Sequence, residues 1–373
     1  MCELKDFNNM NNTFYKENNL SGLKRADFQK TIDGKETDLF ILSNQNGAEA
    51  AITNYGGAIL AIMVPDKNGK LANVVQGHDS IDHVIQSHEP FLSTLIGRYG
   101  NRIAKGSFLI DGQEYNLTIN NGPNSLHGGP TGFHARVWDA KQENEQSVVL
   151  HYVAKDGEEG FPGNLDVTVT YTFTNENELV ITYVANTDKK TIINLTNHAF
   201  FSLAGLNNPT PTVDNNIVTI NADYYIPIDE VSIPTGEILK VEGTPMDFRT
   251  PHTVGSRINE PFQQLIHGAG YDHCYVLNKR ETDALVFAAK CVEPESGRSL
   301  EVYTTEPGVQ VYTANWHNGF AGYHGATFPA RSAICFEAQH FPDSPNKGHF
   351  PSVILKPEDT YHQVTIYKFG IEK

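Results

Sequence analysis

The chain has 373 residues, of which 39% are hydrophobic and 10% aromatic, so it is long enough and apolar enough to bury a substantial core. Its 44 acidic and 28 basic residues give a net charge of −16, which argues against a nucleic-acid partner because phosphate backbones need clustered Lys and Arg. Only 19% of the residues are charged, while glycine (31) and proline (19) are frequent. This composition favours many strands joined by turns over a helical bundle.

The N-terminal segment is polar and rich in asparagine and has no periodicity, which predicts a disordered or flexible tail over residues 1–25. No linker, charge block or repeat interrupts residues 26–373, so we expect a single domain there. Cys2 follows Met1 directly, as in a bacterial lipoprotein that has lost its signal peptide and is periplasmic or lipid-anchored. The alternative that we favour is a cytoplasmic protein with a flexible N-terminus. No apolar run is long enough to span a bilayer.

Alternating apolar and polar residues mark strands in the middle of the chain. Residues 165–173 alternate with period two, a turn follows at 175–177, and residues 179–185 alternate again, which predicts a hairpin. Further strands are predicted at 50–53, 148–153, 191–195, 217–220, 309–312, 333–338, 353–355 and 364–369. Helical patterning is weak, and residues 256–265 are the best short candidate. Many strands without alternating helices predict an all-β fold, a large antiparallel β-sandwich with few short helices.

Sequence motifs for nucleotide binding and metal-dependent hydrolysis are absent. The chain contains 15 histidines but no HExxH, and it has no GxGxxG, GxxxxGK[ST] or GxSxG. We therefore expect no metal and no other cofactor.

Polar segments stand instead at or near the ends of apolar runs, where a sheet can present side chains to a cleft. They are GRYGNRI at 97–103, NSLHGG at 124–129, TNHAFF at 196–201, YDH at 271–273, and FEAQ at 336–339, which follows PGVQ at 307–310. Taken alone, His198 could be a hydrogen-bonded core histidine and Asp272 a turn residue. Glu337 is harder to explain in that way, because it follows a buried-strand pattern and a buried carboxylate must be paired, neutral or functional.

Together with NYGG at 54–57, these motifs make seven matches in an order that resembles the aldose 1-epimerase family over nearly the whole chain. The resemblance implies a large β-sandwich of the galactose mutarotase type. It also implies an isomerase that interconverts the α and β anomers of free aldohexoses, such as galactose and glucose, without a cofactor. The expected partner is a small-molecule aldohexose, with no nucleic acid and no membrane span, bound by a monomer or a homodimer.

The resemblance assigns roles to seven residues. Glu337 is the base that takes the proton from the C1 hydroxyl, His198 is the acid that protonates the ring oxygen, and His127 assists near that oxygen. The substrate hydroxyl groups are held by Asn101, Arg102, Asp272 and Gln310. A carboxylate with a pKa of about 4.3 and an imidazole with one of about 6.5 form a natural base and acid pair. We expect the surroundings to raise both pKa values toward the working pH.

One departure from the family pattern is Phe200, where family members often have tyrosine two residues after the TNH histidine. A hydroxyl that could touch the sugar is therefore missing, which predicts weaker discrimination between aldoses.

Three other functions fit part of the pattern. A glycoside hydrolase could use Asp272 and Glu337 as its two carboxylates, but His198 would then have no role. A non-catalytic sugar-binding sandwich could use Trp138 and Trp316 as stacking platforms, but it would not need a buried glutamate together with a histidine. An epimerase of the same fold acting on hexose 6-phosphates would need a dense cluster of Arg and Lys, which the sequence does not show.

Overall fold

The computed structural model describes residues 14–208 and 211–372, and its regular structure is almost entirely antiparallel strand. Nine strands form one sheet, which we call the large sheet. In spatial order they are Asp139–Asn144, Ser147–Ala154, Leu165–Phe173, Glu178–Thr187, Tyr361–Ile371, Arg298–Thr304, Val286–Val292, Ile217–Ile220 and His252–Thr253.

Two smaller antiparallel sheets pack against the large sheet. The four-stranded sheet contains Leu39–Ser43, Glu49–Thr53, Ile59–Pro65 and Leu71–Asn73, in that order. The five-stranded sheet contains Leu239–Lys240, Tyr224–Tyr225, Asp272–Val276, Gly308–Tyr312 and Cys335–Gln339, in that order. A single hydrophobic cluster joins buried side chains of all three sheets, for example Ile52, Val169 and Phe336. Two layers of antiparallel strands around one core confirm the predicted all-β sandwich.

Short two-stranded ribbons and turns of helix connect these sheets. The ribbons pair Thr31–Ile32 with Lys35–Glu36, Leu95–Ile96 with Thr196–Asn197, Arg102–Ile103 with Ser125–Leu126, Ser107–Ile110 with Gln113–Asn116, Thr191–Ile192 with Ile354–Leu355, and Asn318–Ala321 with Thr327–Pro329. Two α-helices occur in the described part of the chain, Ile81–Ile85 and Gln263–His267. The 3₁₀ turns are Arg25–Phe28, Ala104–Gly106, Phe133–Ala135, Glu158–Gly160, Val254–Ser256, Tyr323–Gly325 and Ser344–Asn346. No helix among the residues described is long and apolar enough to cross a membrane.

The predicted hairpin is confirmed. Strands Leu165–Phe173 and Glu178–Thr187 pair along their length, from Leu165 opposite Thr187 to Phe173 opposite Leu179. Every second side chain of the first strand is buried, as the period-two pattern requires. The sequence did not indicate Ile59–Pro65, however, because six of its seven residues are buried and such a strand shows no alternation.

The predicted helix at 256–265 is wrong over most of its length. The α-helix observed there is Gln263–His267, and residues 254–256 form a separate 3₁₀ turn. Pro261 explains why no helix runs through the predicted segment, because a proline disfavours the helical conformation of the residue before it, here Glu260. Phe262, after the proline, is extended, with φ −100° and ψ 127°, and the helix begins beyond it.

The N-terminal segment is ordered where the structure describes it. Residues 1–13 of the predicted tail, including Cys2, lie outside the described residues. Within the remainder of that tail, Leu23 is buried, and the backbone N–H groups of Leu20 and Ser21 donate to the carboxylate of Glu49 at 3.0 and 3.1 Å. Residues 20–23 are therefore held against the four-stranded sheet.

We expect Leu150→Ala to destabilise the fold by about 2–5 kcal/mol, because Leu150 is fully buried in the core and the surrounding side chains cannot fill the cavity. The matched control is Leu109→Ala, whose side chain is 61% exposed and whose loss should change stability by less than about 0.5 kcal/mol. Urea unfolding measures both changes. Equal effects of the two substitutions would contradict the assignment of Leu150 to the core.

Candidate active site

The register of the five-stranded sheet brings three of the site residues together. Gln310 lies opposite Glu337 on the adjacent strand, and Asp272 lies opposite Tyr312. Because alternate residues of a strand share a face, residues 308, 310 and 312 point to the same side as Glu337 and Asp272. The other side of these strands carries core residues such as Phe336. One face of the sheet therefore presents carboxyl and amide groups, while the other packs in the sandwich.

This polar face forms the floor of a cleft of about 450 Å³. Six of the seven residues predicted to form the site line it: Asn101, Arg102, His127, His198, Asp272 and Glu337. Gln310 does not line the cleft. Its side-chain amide donates to Asp272 Oδ1 at 2.7 Å, so Gln310 fixes the orientation of that carboxylate from behind.

Glu337 and His198 form a buried pair. His198 Nε2 lies 3.6 Å from Glu337 Oε1, and the two residues are 5% and 2% exposed. Glu337 Oε2 is buried and has no hydrogen-bond partner in the protein. Because an unsatisfied carboxylate oxygen is costly in a dry environment, this atom is available to accept a hydrogen bond from a ligand hydroxyl group.

The tautomer of His127 is set by the backbone of Asn101. Asn101 N–H donates to His127 Nδ1 at 3.0 Å, and His127 N–H donates to the carbonyl oxygen of Asn101 at 3.1 Å. Both residues have positive φ, 68° for Asn101 and 53° for His127, which lets the two backbones face each other. Because Nδ1 is the acceptor, the hydrogen of the neutral ring is on Nε2. His127 is thus a hydrogen-bond donor through Nε2.

The same pairing bears on metal binding. His127, His198 and Glu337 each offer a ligand atom, and these atoms lie within 4.8 Å of one another. A metal ion needs a free lone pair from each imidazole. The lone pair of His127 is occupied by the N–H of Asn101, so this cluster is better suited to hydrogen bonding than to holding a metal.

Arg102 is the cationic residue of the cleft. Its Nη1 lies 3.9 Å from Asp272 Oδ2, and its Nε donates to the side-chain oxygen of Asn121 at 3.0 Å. The guanidinium group is therefore held between an amide and a carboxylate. Its unused N–H donors can reach a ligand.

Burial controls the protonation of the central pair. It raises the pKa of Glu337 well above the usual range, with a further rise from the carboxylate of Asp272 and an opposing effect of Arg102. The pKa of His198 falls to about 3, mainly because of burial; a backbone hydrogen bond opposes the fall, and His317 and Arg102 add to it. The expectation that both pKa values rise is therefore wrong for His198, because desolvation disfavours a cationic imidazole. Burial therefore favours the neutral form of each group, a carboxylic acid and a neutral imidazole, over the charged pair.

Phe200 lies behind the site and not in it. It is fully buried, and its ring stacks on that of His198 with centroids 4.6 Å apart and planes inclined by 9°. The Phe200 ring also stacks on His317, with centroids 4.9 Å apart, and meets Tyr312 edge-on at 6.0 Å. The expectation that a hydroxyl at position 200 would touch the sugar does not fit this geometry. The ring holds the imidazole of His198 in place.

Several residues of the cleft were not predicted from the sequence. They are Glu89, Pro90, Phe91, Asn121, Gly122, Pro123, Leu126, Glu230, Val231, Ser232 and Tyr312, and the lining also contains Trp316, which the sequence suggested only for a sugar-binding module. Phe91 contacts the ring of His127 at 4.7 Å, and burial raises the pKa of the half-buried Glu89 to about 7. Trp316 is 64% exposed at the cleft, whereas Trp138 is fully buried in the core and cannot serve as a stacking platform. The segment 86–91 has no periodicity that would have signalled its role.

Comparison with known proteins identifies relatives over most of the chain. The family model described as aldose 1-epimerase matches residues 38–368. The galactose mutarotase of Bos taurus is 44% identical over 321 residues, which cover 86% of this chain and 90% of that protein. The aldose 1-epimerase of Escherichia coli strain K12 is 34% identical over 343 residues, 91% of this chain and 97% of that protein. The crystal structure of the GalM/aldose epimerase homologue from C. elegans matches with a TM-score of 0.83 and 29% identity, covering 90% of this chain and all of that one.

We expect Gly128→Ala to disturb the loop that carries His127. A Cβ at this position would lie 2.0 Å from the carbonyl oxygen of Gly97, and the φ of Gly128 is 83°. Gly112→Ala is a matched control, because Gly112 has a φ of 80° with nothing within 4 Å of the added atom. Both variants carry the strain of a left-handed alanine, about 1 kcal/mol, but Gly128→Ala should lose distinctly more in denaturant unfolding. Similar losses in both variants would show that the approach to Gly97 is not a constraint.

Proposed function

This chain belongs to the aldose 1-epimerase family, and from that premise we propose that Glu337 and His198 carry out its proton transfers. The enzyme interconverts the α and β anomers of free aldoses. The observation that carries the assignment is the buried pair itself, a carboxyl group and an imidazole 3.6 Å apart on the floor of the cleft. The reaction needs one base and one acid, and it needs no further reagent.

The base removes the proton from the C1 hydroxyl while the acid protonates the ring oxygen. The C1–O5 bond then breaks, C1 becomes an aldehyde carbon, and rotation about C1–C2 exposes its other face. Ring closure reverses both proton transfers and yields the other anomer. In our assignment the carboxylate of Glu337 accepts the C1 hydroxyl proton, and the imidazolium of His198 donates to O5.

The pKa shifts of the pair suit this sequence of steps. Before ring opening, the reactive state is carboxylate and imidazolium, and afterwards it is carboxylic acid and neutral imidazole. Burial favours the second state, since it raises the pKa of Glu337 and lowers that of His198. In both states the Glu337–His198 pair holds one dissociable proton, so no proton has to come from solvent. Burial therefore favours the neutral pair, which accompanies the open-chain sugar, over the charged pair, which accompanies the closed ring.

Substrate hydroxyl groups have donors and acceptors within the cleft. His127 Nε2–H and the Arg102 guanidinium are donors, and the carboxylate of Asp272 is an acceptor held in place by Gln310. Asn101 lines the same wall. We assign these groups to the recognition of the sugar hydroxyls and His127 to the neighbourhood of the ring oxygen. Galactose and glucose are the aldoses that we expect to be turned over.

The charge of the cleft argues for a free sugar. Arg102 is the single Lys or Arg side chain in its described lining, which also contains four carboxyl groups, those of Glu89, Glu230, Asp272 and Glu337. A phosphate group would be repelled by such a surface. The glycoside hydrolase alternative is not favoured either, because the relatives are anomer-interconverting enzymes and because it leaves the His198 imidazole beside Glu337 unused.

A cytoplasmic location also remains our proposal. Its support is that Cys274, Cys291 and Cys335 are free and buried, as is usual in a reducing compartment. Mass spectrometry of the protein from its native cells tests it, since a lipid on Cys2 would place the protein at a membrane surface. The assembly as a monomer or a homodimer stays a prediction.

We expect Glu337→Gln to lower mutarotase activity by about 10²–10⁴-fold, because the amide keeps the shape of the side chain but cannot accept the C1 hydroxyl proton. Polarimetry of freshly dissolved α-galactose and α-glucose measures the rate. Glu301→Gln, on the large sheet and away from the cleft, is the control and should match the wild type. Activity of Glu337→Gln within a few-fold of the wild type would rule out Glu337 as the base.

Phe200→Tyr tests whether the side chain at position 200 contacts the sugar. Because the ring lies behind His198, we expect the ratio of kcat/KM for galactose to that for glucose to change by less than about twofold. The rate with both sugars should fall, since the added hydroxyl must fit into a packed cluster at a cost of about 1–3 kcal/mol. A tenfold change in the ratio with an unchanged rate would show that position 200 does contact the sugar.

A further inference from the structure

Arg102 stands on a small element with little support of its own. The strand Arg102–Ile103 pairs with Ser125–Leu126 in a ribbon of two residues a strand, with Arg102 opposite Leu126. A two-stranded ribbon by itself is at best marginally stable in water. Because Arg102 lines the catalytic cleft, the geometry of the cleft depends on what binds the other edge of this strand.

Asp343 binds that other edge. Its backbone N–H donates to the carbonyl oxygen of Arg102 at 2.8 Å, and its Oδ1 accepts the backbone N–H of Ala104 at 2.9 Å. In an extended strand, the carbonyl group of one residue and the N–H group two residues further on face the same edge. With one backbone bond and one side-chain bond, Asp343 therefore takes the place of a third strand beside the ribbon.

The carboxylate of Asp343 is itself held firmly. It is fully buried, and in addition to Ala104 it binds two side chains: Oδ1 accepts the side-chain N–H of Asn346 at 2.7 Å, and Oδ2 accepts the ammonium group of Lys347 at 2.8 Å. The backbone of Asp343 is left-handed, with φ 54°. A buried carboxylate that is bound at both oxygens has one orientation, so the Ala104 N–H that it accepts is fixed as well.

A short segment of chain, residues 340–342, joins Asp343 to the strand that carries Glu337, which is Cys335–Gln339. This segment is also bound to the chain just before Arg102, since the hydroxyl group of Tyr99 donates to the carbonyl oxygen of Phe341 at 3.0 Å. The distance between Glu337 and the Arg102 wall is therefore set by residues 340–343.

We propose that Asp343 is a positioning residue for anomer exchange, which holds Arg102 at the place where its guanidinium group meets the sugar hydroxyls above the Glu337–His198 pair. The inference rests on the proposed function, because it takes Arg102 as a substrate contact. Asp343 lies outside the lining of the cleft in the part of the chain that the structure describes, so it acts through Arg102 and not on the sugar. A displacement of about 1 Å in a positioned group can cost about 10²-fold in rate.

Three substitutions separate the bond to Ala104 from the ion pair with Lys347. Asp343→Gly accommodates the left-handed backbone without strain but deletes the carboxylate, so the N–H of Ala104 loses its acceptor. Asp343→Asn keeps an oxygen for Ala104 and for Asn346 but removes the charge that pairs with Lys347. Lys347→Met removes the same ion pair from its other side, and it is the control because it also costs stability by leaving a buried carboxylate without its cation.

Polarimetry of freshly dissolved α-galactose measures the effect, at a temperature at which circular dichroism shows every variant to be folded. We expect kcat/KM to fall by about 10–100-fold in Asp343→Gly, because Arg102 is displaced. In Asp343→Asn and Lys347→Met it should stay within a few-fold of the wild type, since the bond to Ala104 survives in both. Ala104→Pro deletes the donor of that bond, at the first position of a 3₁₀ turn where proline is tolerated, and it takes the place of Asp343→Gly if the latter does not fold.

A double-mutant cycle with Arg102→Ala distinguishes positioning from a general loss of structure. If Asp343 acts through Arg102, Asp343→Gly should add little to the loss in Arg102→Ala, whereas independent effects would multiply. The proposal is overturned if Asp343→Gly stays within a few-fold of the wild type, if Lys347→Met loses as much as Asp343→Gly, or if the two losses multiply in the double variant. Failure of the proposed function itself looks different, since the wild type would then be inactive or Glu337→Gln would remain active.

Discussion

Exclusion of water from one face of the five-stranded sheet is the constraint on which the site depends. Glu337 and His198 are almost fully buried there, and neither is held in its charged form by a strong partner. In water, the pKa of Glu337 would stay below that of His198, as the ordinary values are. Burial raises the first and lowers the second, so that their order is reversed. In the proposed reaction, the pair therefore alternates between a charged and a neutral state that contain the same number of protons.

Antiparallel pairing supplies the geometry that this chemistry requires. A shift of one residue in the register between Gly308–Tyr312 and Cys335–Gln339 would turn Glu337 toward the core and Phe336 toward the cleft. The large sheet prevents such a shift, because it packs against Phe336, Val309 and Val311 in the main hydrophobic cluster. The stability of the sandwich and the position of Glu337 therefore have the same cause.

Loops complete the cleft, and their backbones are less regular than the strands. Asn101 and His127 both have positive φ; the backbone N–H of Asn101 donates to the His127 ring, and the backbone N–H of His127 donates to the Asn101 carbonyl oxygen. Phe91 packs on His127 from one side, and Phe200 supports His198 from behind. Apolar rings thus fix the two imidazoles, while the polar groups remain free to meet the substrate.

The sequence by itself determined the fold class, the central hairpin and the chemical groups of the site, because alternation and short motifs are local properties of the chain. It identified Glu337 as a buried carboxylate for the same reason. Only the tertiary structure decided that Gln310 orients Asp272, that Phe200 lies behind His198, and that the pKa of His198 falls. Each of these features depends on which distant segments the sheet register and the loops bring together, and on how much water the packed layers exclude. No single segment of the sequence encodes these two properties.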